Sequence, residues 1–327
     1  MKYSPLGKTG VNVSAIGFGT VAFGDDYGTV SLEDCRRALM HAIDAGINVV
    51  DTSPYYGRTL SEERLGAALD GRRHEVVLGT KCGRYGFDQF DFSEKAVVRG
   101  LEDSLRRLKT DHVDILQAHD VEFGSIDQVI HETVPALQRL KEQGKVRFIG
   151  VTGYWPQILA HIAEVASVDV VLNYCHWNLM MDDMDAALTP VAERKQLGLM
   201  NGSPLHMGLL GGNGGPAWHP APPLIKAVAA RFAGLCREYG TAPAILALHA
   251  CFQHPSVATT LVGPRNIEEV NDALQALEFQ PSTDLLVKVS ELLAPTFNTT
   301  WPSGLPENQP LLDVLSGQTV GVGSVNS

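Results

Sequence analysis

Short apolar runs alternate with stretches of helical periodicity along most of the 327-residue chain. Residues 3–14 come first and alternate only weakly around the turn sequence Gly7-Lys8-Thr9-Gly10, which predicts a β-hairpin. The next apolar run, Ile16-Gly17-Phe18-Gly19, is a predicted strand. Beyond it the pattern switches repeatedly between a continuous apolar run and a helical spacing, which predicts alternating strands and helices.

This alternation produces eight strand-then-helix units. After residues 16–19, strands are predicted at 48–51, 76–81, 113–119, 146–152, 168–173, 198–202 and 258–262. Helices are predicted at 32–45, 61–69, 93–108, 125–143, 156–165 and 183–197, with a long helical insertion before the last strand. Short strands without polar alternation are typical of a parallel sheet covered by helices. Eight such units most simply close into a (β/α)8 TIM barrel, an α/β fold, with the hairpin as an N-terminal cap.

A doubly wound sheet is the alternative fold, but no G-x-G-x-x-G sequence follows the first strand and opens a helix. Local signals support the helix boundaries. Ser61 and Ser93, each followed by acidic residues, are predicted N-caps, and Gly144 and Gly198 are predicted helix ends.

The chain is predicted to form a single domain over residues 1–327, with the core barrel at 3–277. A C-terminal extension follows at 297–327, and its last fifteen or so residues are predicted to be a mobile tail. Two long segments, 208–223 and 297–317, interrupt the strand-helix rhythm. In a barrel, long loops on the carboxyl side of the strands cover ligands.

Composition narrows the possible partners. The formal charge of −11, with Lys and Arg scattered singly, does not provide the basic surface that binding to nucleic acid requires. The first residues lack the apolar core of a signal peptide, and no apolar run is long enough to span a bilayer. We therefore expect a soluble cytoplasmic protein that binds neither nucleic acid nor membrane, as a monomer or weak oligomer.

The cysteines and histidines do not form a metal-site pattern. Five cysteines are widely spaced without a C-x-x-C pair, so reduced thiols in the core are expected. Eleven histidines include no H-E-x-x-H sequence. We predict no metal ion.

Four ionisable residues fall at or just after predicted strand ends. Asp51 ends the second barrel strand, Tyr56 follows in its loop, Lys81 ends the third strand and His119 ends the fourth. Taken singly, Asp51 could cap a turn, Lys81 could extend its amine to solvent, and His119 could be a packed core residue. Because the carboxyl ends of barrel strands share one face, the four side chains are instead expected to converge.

Such a group suits carbonyl or carbinol chemistry. A positive charge at Lys81, balanced by Asp51, favours the phenolate of Tyr56 and is expected to lower its pKa from about 10. Tyr56 would then act as a general acid/base, and His119 would hydrogen-bond the reacting oxygen. Because no side chain donates a hydride, a redox reaction requires a nicotinamide cofactor.

These residues and their surrounding motifs resemble the aldo-keto reductase superfamily over residues 3–277. The resemblance is carried by the tetrad Asp51, Tyr56, Lys81 and His119 and by two stretches, D-T-S-P-Y-Y-G at 51–57 and G-K-V-R-F-I-G at 144–150. Loop stretches at 80–85, 119–125, 203–210, 218–223 and 300–304 are similar to the plant-type L-galactose dehydrogenase branch.

The resemblance implies roles for further residues. It places Tyr56 as the proton donor and acceptor, with Lys81 and Asp51 tuning it and His119 orienting the anomeric oxygen of a sugar. The residues expected to contact the cofactor are Gly19, Thr20, Thr152, Tyr174, Ser203, Leu205, Gly263, Arg265, Asn266 and Glu269. Asp120, Trp218 and Trp301 are expected to line the substrate pocket.

The chain departs from the family pattern at the nicotinamide. Gly202 stands where members commonly stack an aromatic ring on it, and Tyr174 stands where many have a glutamine. At the adenosine end, Arg265 precedes three carboxylates, Glu268, Glu269 and Asp272. Carboxylates repel a 2′-phosphate but accept a hydrogen bond from a ribose hydroxyl, so NAD is predicted to be preferred, with some tolerance of NADP.

The expected activity is NAD-dependent oxidation of an aldose at C1 to its lactone, the sugar being L-galactose or a relative such as L-fucose. An alternative within the fold is a broad aldehyde or ketone reductase that uses NADPH. Another class of function is a cofactor-binding regulatory subunit without catalysis, which the intact tetrad disfavours.

Overall fold

A computed structural model describes residues 1–315. A two-stranded antiparallel hairpin, β1 (Tyr3–Pro5) and β2 (Asn12–Ser14), precedes eight parallel strands that close into a barrel. The barrel strands are β3 (Ile16–Gly19), β4 (Val49–Asp51), β5 (Val77–Cys82), β6 (Val113–Ala118), β7 (Val146–Gly153), β8 (Val170–Tyr174), β9 (Gly198–Gly202) and β10 (Val257–Val262). Because β10 pairs with both β9 and β3, the sheet has no free edge, and the predicted TIM barrel is confirmed.

Helices cover the outside of the barrel. They lie at Leu32–Asp44, Leu60–Ala68, Glu94–Leu108, Ile126–Gln128 continuing through Val134–Glu142, Pro156–Val165, Met184–Ala187, Thr189–Lys195, Pro223–Glu238, Pro243–Cys251, Ile267–Glu278, Thr283–Leu293 and Gln309–Leu315. Their apolar faces and the outward strand side chains form the main core, while inward side chains such as Val49, Ile115 and Met200 fill the barrel. No helix of the described residues is long and apolar enough to cross a membrane.

Three local predictions were wrong. The predicted helix at 183–197 is two short helices, because Pro190 has no amide hydrogen to continue the first one. Ser61 does not cap its helix, which begins at Leu60, but turns its hydroxyl inward to Thr20 and Thr52. Gly198 begins β9, since Gln196 takes the left-handed conformation that ends the preceding helix.

Other boundaries follow the expected chemistry. Ser93 caps its helix by accepting a hydrogen bond from the Ala96 amide, and Gly144 has φ 76° just after Glu142. The helix that begins at Ile126 contains a π-helical segment, Val129–Thr133, which ends two residues before Pro135. The wider turn is a usual way to accommodate a proline inside a helix.

The C-terminal extension crosses the carboxyl end of the barrel. The Leu305 amide donates to the Glu122 carbonyl over 2.9 Å, and the Trp155 indole donates to the Ser303 carbonyl over 2.8 Å. Asn308 also donates to the Glu122 carbonyl. The extension is thereby joined to the loops after β6 and β7; the predicted mobile tail falls largely on residues 316–327, which lie outside the described ones.

Candidate active site

The four ionisable residues meet at the carboxyl end of the barrel. Asp51 is the last residue of β4, Lys81 is the fifth residue of β5, and His119 directly follows β6. Lys81 is only 1% exposed; its amine donates to an Asp51 carboxylate oxygen and, over 2.8 Å, to the Thr52 carbonyl. The same amine lies 4.9 Å from the centre of the Tyr56 ring, so the expected convergence is present.

The electrostatics of Tyr56 differ from the sequence expectation. Burial raises the pKa of its phenol to about 12, and the positive charge of Lys81 lowers it by less than burial raises it. The carboxylates of Asp51 and Asp120 raise that pKa further. Lys81 therefore acts in the expected direction, but desolvation decides the net shift, and the phenol is protonated at neutral pH.

His119 is buried and held in one orientation. Its Nδ1 lies 3.0 Å from the Ser53 hydroxyl, which also accepts a hydrogen bond from the Tyr55 amide. We assign the Ser53 proton to Nδ1, which leaves the ring proton on Nε2. Burial, followed by the charges of Lys81 and Arg84, holds the pKa of His119 well below its usual range, so the neutral ring can donate from Nε2.

An ion pair lies beside His119. Arg84 donates to the Asp120 carboxylate, and the nearer carboxylate oxygen is 3.6 Å from His119 Nε2. The guanidinium also stacks over Tyr55, 3.7 Å from the ring centre. The side chains of Arg84 and Asp120 are only 13% and 4% exposed. The pair thus presents a fixed donor and a fixed acceptor next to the acid/base residues.

Sequence reasoning missed the roles of two residues in this site. Ser53 stands inside the D-T-S-P-Y-Y-G stretch, and Arg84 stands in the loop stretch at 80–85, but neither received a function. The signal was present for Arg84, since a basic residue three positions after Lys81 at a strand end needs a partner. No pattern in the sequence indicates that Ser53 contacts a histidine 66 positions away.

Several predicted cofactor residues lie together around one side of the barrel mouth. Gly19 ends β3, and a side-chain carbon at Gly263 would lie 3.6 Å from the Gly19 carbonyl. The hydroxyl of Thr20 bonds to Ser61 and to the Asp51 carbonyl, its amide donates to the same carbonyl over 2.9 Å, and its own carbonyl accepts from the Ser61 hydroxyl over 2.7 Å, so its polar atoms are all bonded within the protein. Thr152 is buried near the end of β7, and the turn containing Ser203 and Leu205 follows β9.

Gly202 and Tyr174 are direct neighbours. They are register partners on β9 and β8, and a side-chain carbon at Gly202 would lie 3.1 Å from the Tyr174 side-chain carbon. The first side-chain carbon of Tyr174 therefore occupies space that a side chain at 202 would need. The two departures from the family pattern are therefore adjacent: Gly202 on β9 lacks a side chain where its neighbour on β8, Tyr174, has an aromatic one.

The predicted adenosine-end residues are linked to one another. Asn266 caps the helix Ile267–Glu278 by accepting from the Glu269 amide. Glu269 accepts from the Arg265 backbone amide over 2.8 Å and from its guanidinium Nε over 2.9 Å. The guanidinium of Arg265 is therefore already bound by a carboxylate.

The two predicted pocket tryptophans have different environments. Trp218 is 52% exposed, packs edge-on against Tyr27 and donates to the Asp26 carbonyl over 3.3 Å. Trp301 is 6% exposed and packs against Tyr154 and two histidines. A role in the substrate pocket stays a prediction for both; Trp218 is the more exposed of the two, and Trp301 is packed among other rings.

Within residues 1–315, the cysteines form no disulfide and the potential metal ligands form no cluster. All five cysteines are unpaired and buried, as expected. In residues 1–315, no three His, Cys, Asp or Glu side chains are placed to hold a metal ion.

The eight-stranded barrel carries at its carboxyl end a buried lysine–aspartate pair beside a tyrosine, an arrangement that suits proton transfer at a carbon–oxygen bond. The sequence profile of the Aldo/keto reductase family matches residues 15–294. The chain belongs to this family and is an NAD(P)-dependent oxidoreductase.

The chain is similar to two named dehydrogenases over most of its length. It is 41% identical to an L-galactose dehydrogenase of Arabidopsis thaliana, covering 93% of this chain and 98% of the relative. It is 30% identical to a D-arabinose 1-dehydrogenase of Saccharomyces cerevisiae, covering 86% and 90%. An aldo-keto reductase structure from Bacillus halodurans, solved in its holo form, superposes with a TM-score of 0.74 at 24% identity and covers 92% of this chain and 98% of its own, which supports the fold.

Proposed function

We propose that the protein oxidises an aldose at C1 to its lactone, with NAD as the preferred cofactor and L-galactose or a related sugar such as L-fucose as the substrate. The observation that carries this proposal is the buried Arg84–Asp120 pair beside His119. A sugar presents adjacent hydroxyl groups that both donate and accept hydrogen bonds, and the pair offers one partner of each kind. The two relatives named above are both sugar dehydrogenases by name, which supports the same choice.

The reaction removes a hydride from C1 and a proton from the anomeric hydroxyl. His119 Nε2 donates a hydrogen bond to the anomeric oxygen and orients it towards Tyr56. Tyr56, as the phenolate, takes the hydroxyl proton, and Lys81 stabilises that phenolate from beside the ring. A bound nicotinamide dinucleotide supplies the hydride acceptor, because no side chain in the site accepts a hydride.

The residues at the barrel mouth fit such a cofactor. Tyr174, the register partner of Gly202, would provide an aromatic surface for a flat ring. Gly19 and Thr152 are assigned to the nicotinamide end, and Thr20, whose polar atoms are bonded within the protein, supports the strand ends there. Ser203 and Leu205 are assigned to the phosphates, and Gly263, Arg265, Asn266 and Glu269 to the adenosine.

The preference for NAD rests on the Arg265–Glu269 contact. A 2′-phosphate would have to compete with the Glu269 carboxylate for the guanidinium and would stand close to that negative charge. A ribose hydroxyl could instead donate to Glu269 without displacing Arg265.

One observation favours a second candidate, reduction of aldehydes or ketones with NADPH. The pKa of Tyr56 is raised to about 12 by burial, so the phenol holds its proton at neutral pH and is ready to donate it to a carbonyl oxygen. The aldose proposal requires the opposite transfer, which becomes faster as the phenolate fraction grows with pH.

The cytoplasmic location, the state as a monomer or weak oligomer and the single-domain boundaries stay predictions.

A substrate panel tests the proposal. The purified protein is assayed with L-galactose, L-fucose, D-arabinose and L-glucose, each with NAD and with NADP, by absorbance of the reduced cofactor. We expect the highest kcat/KM with NAD and one of these sugars, and a loss of about 10²- to 10⁴-fold in Tyr56→Phe with cofactor binding retained. Dominant NADPH-dependent turnover of simple aldehydes would support the second candidate instead. Unchanged function in Tyr56→Phe would support a non-catalytic regulatory role.

A further inference from the structure

The turn after β9 has an unusual backbone. Ser203, His206 and Met207 have φ values of 51°, 51° and 52°, in the left-handed region that side chains other than glycine rarely adopt. Each such residue is strained and persists only where surrounding contacts hold it. The turn at residues 203–208 therefore depends on contacts from outside itself.

One of these contacts is His219, from the segment between β9 and the helix Pro223–Glu238. Its Nδ1 accepts a hydrogen bond from the Ala221 amide over 3.0 Å, so the neutral ring carries its proton on Nε2. That Nε2 lies 3.0 Å from the His206 carbonyl, to which it donates. This hydrogen bond therefore holds His206, one of the left-handed residues of the turn.

The second contact is Trp301, from the C-terminal extension. Its ring packs edge-on against His206, with centres 5.1 Å apart at 76°, and edge-on against His219, 5.3 Å apart at 74°. The His206 side chain is fully buried, and neither ring nitrogen has a hydrogen-bond partner within residues 1–315. Burial lowers the pKa of His206 to about 3, so an uncharged ring packs against the indole.

We propose that Trp301 and His219 are positioning residues that hold the 203–208 turn in the shape that receives the phosphates of the dinucleotide. This inference rests on the proposed function, which assigns Ser203 and Leu205 to the cofactor. It gives the C-terminal extension a role in cofactor affinity, and it replaces the expectation that Trp301 lines the substrate pocket. Truncating either side chain frees the turn to leave its left-handed conformation, which adds an ordering cost to binding.

The experiment compares the affinity of full-length variants for NAD and, separately, NADP by calorimetric titration. We expect Trp301→Leu and His219→Leu to raise the Kd of the preferred dinucleotide about tenfold, which corresponds to about 1.4 kcal/mol. In steady-state assays KM for the dinucleotide should rise more than kcat falls. Trp301→Phe keeps an aromatic ring edge and should stay within about threefold of the wild-type Kd.

Trp155→Leu is the matched control. Trp155 is half-buried, packs on Tyr154 at 4.9 Å as Trp301 does at 5.3 Å, and bonds to the C-terminal extension at Ser303, yet it has no hydrogen bond or ring contact with His206 or His219. An unchanged Kd in Trp301→Leu with a lowered Tm, or an equal rise in Trp155→Leu, would overturn the inference. If Trp301→Leu does not fold, His219→Leu decides it alone. A wild-type protein that binds neither dinucleotide would instead contradict the proposed function.

Discussion

The hydroxyl of Ser53 lies 3.0 Å from Nδ1 of His119 and leaves the ring proton on Nε2, the nitrogen that faces the reacting oxygen in the proposed reaction. Ser53→Ala should lower kcat/KM about 10- to 100-fold, because the ring loses the partner that keeps its proton on Nε2. The change should be much smaller in a His119→Ala background, and a double-mutant cycle measures this coupling. Additive losses would show that Ser53 acts elsewhere.

Ser61→Ala provides the control for that cycle. Ser61 is buried nearby, but its hydroxyl bonds to the Thr20 carbonyl and to Thr52 rather than to His119. It should lower Tm while leaving the coupling to His119→Ala near zero.

The pH dependence of sugar oxidation should report the pKa of Tyr56. Since burial raises that pKa to about 12, the phenolate fraction, and with it kcat/KM, should increase steadily from pH 7 to pH 10. Asp120 raises the same pKa through its charge, so Asp120→Asn should shift the rise towards lower pH. The shape of the profile is compared rather than its height, because Asp120 is also a substrate candidate. The wild-type profile should not level off by pH 10, so the test is whether that of Asp120→Asn begins to level off at lower pH; two profiles that stay parallel would contradict this coupling.

Glu269 should control the choice between NAD and NADP. Glu269→Gln removes the charge that occupies Arg265 and repels a 2′-phosphate, so the preference should move towards NADP by about tenfold or more. The measurement is the ratio of kcat/KM with NAD to kcat/KM with NADP. Glu268→Gln is the control, because Glu268 is exposed on the same helix and makes no hydrogen bond to Arg265. An equal shift in both variants would indicate only a general change of surface charge.

The ring of Tyr174 should contribute to nicotinamide binding. Tyr174→Leu should raise the Kd of the dinucleotide several-fold, since an aromatic surface contributes about 0.5–1.5 kcal/mol beyond its buried area. Tyr174→Phe keeps the ring and should behave like the wild type. If Tyr174→Phe is as weak as Tyr174→Leu, the hydroxyl rather than the ring is what the cofactor needs.

Loss of the Glu122 proton should make the fold less stable at alkaline pH. Burial, with the nearby charge of Asp120, raises the pKa of its carboxyl to about 8, compared with about 4.3 for an exposed glutamate. Between these values the folded protein binds more protons than the unfolded chain, so the free energy of unfolding falls as pH rises and levels off above about 8. Glu122→Gln, which mimics the protonated form, should have a Tm advantage that grows between pH 5 and pH 9. A constant Tm difference across this range would contradict the raised pKa.

The hydrophobic pattern alone predicted every barrel strand to within two residues. It succeeded because a strand buried on both faces must be a short apolar run, and Val49–Asp51 and Val113–Ala118 are such runs. It failed where a local signal competed with packing. Ser61 has the sequence context of an N-cap, yet its hydroxyl is drawn into a buried network with Thr20. The prediction of a single helix at 183–197 overlooked the interruption before Pro190.

The sequence by itself determined the barrel and the convergence of Asp51, Tyr56, Lys81 and His119, because strand ends that share one face bring distant residues together by topology alone. Only the tertiary structure decided how strongly each group is desolvated, and it reversed the expected pKa shift of Tyr56. It also revealed contacts between residues far apart in the chain, such as Trp301 with His206 and Ser53 with His119. Such contacts depend on side-chain packing across loops, for which no periodicity in the sequence exists.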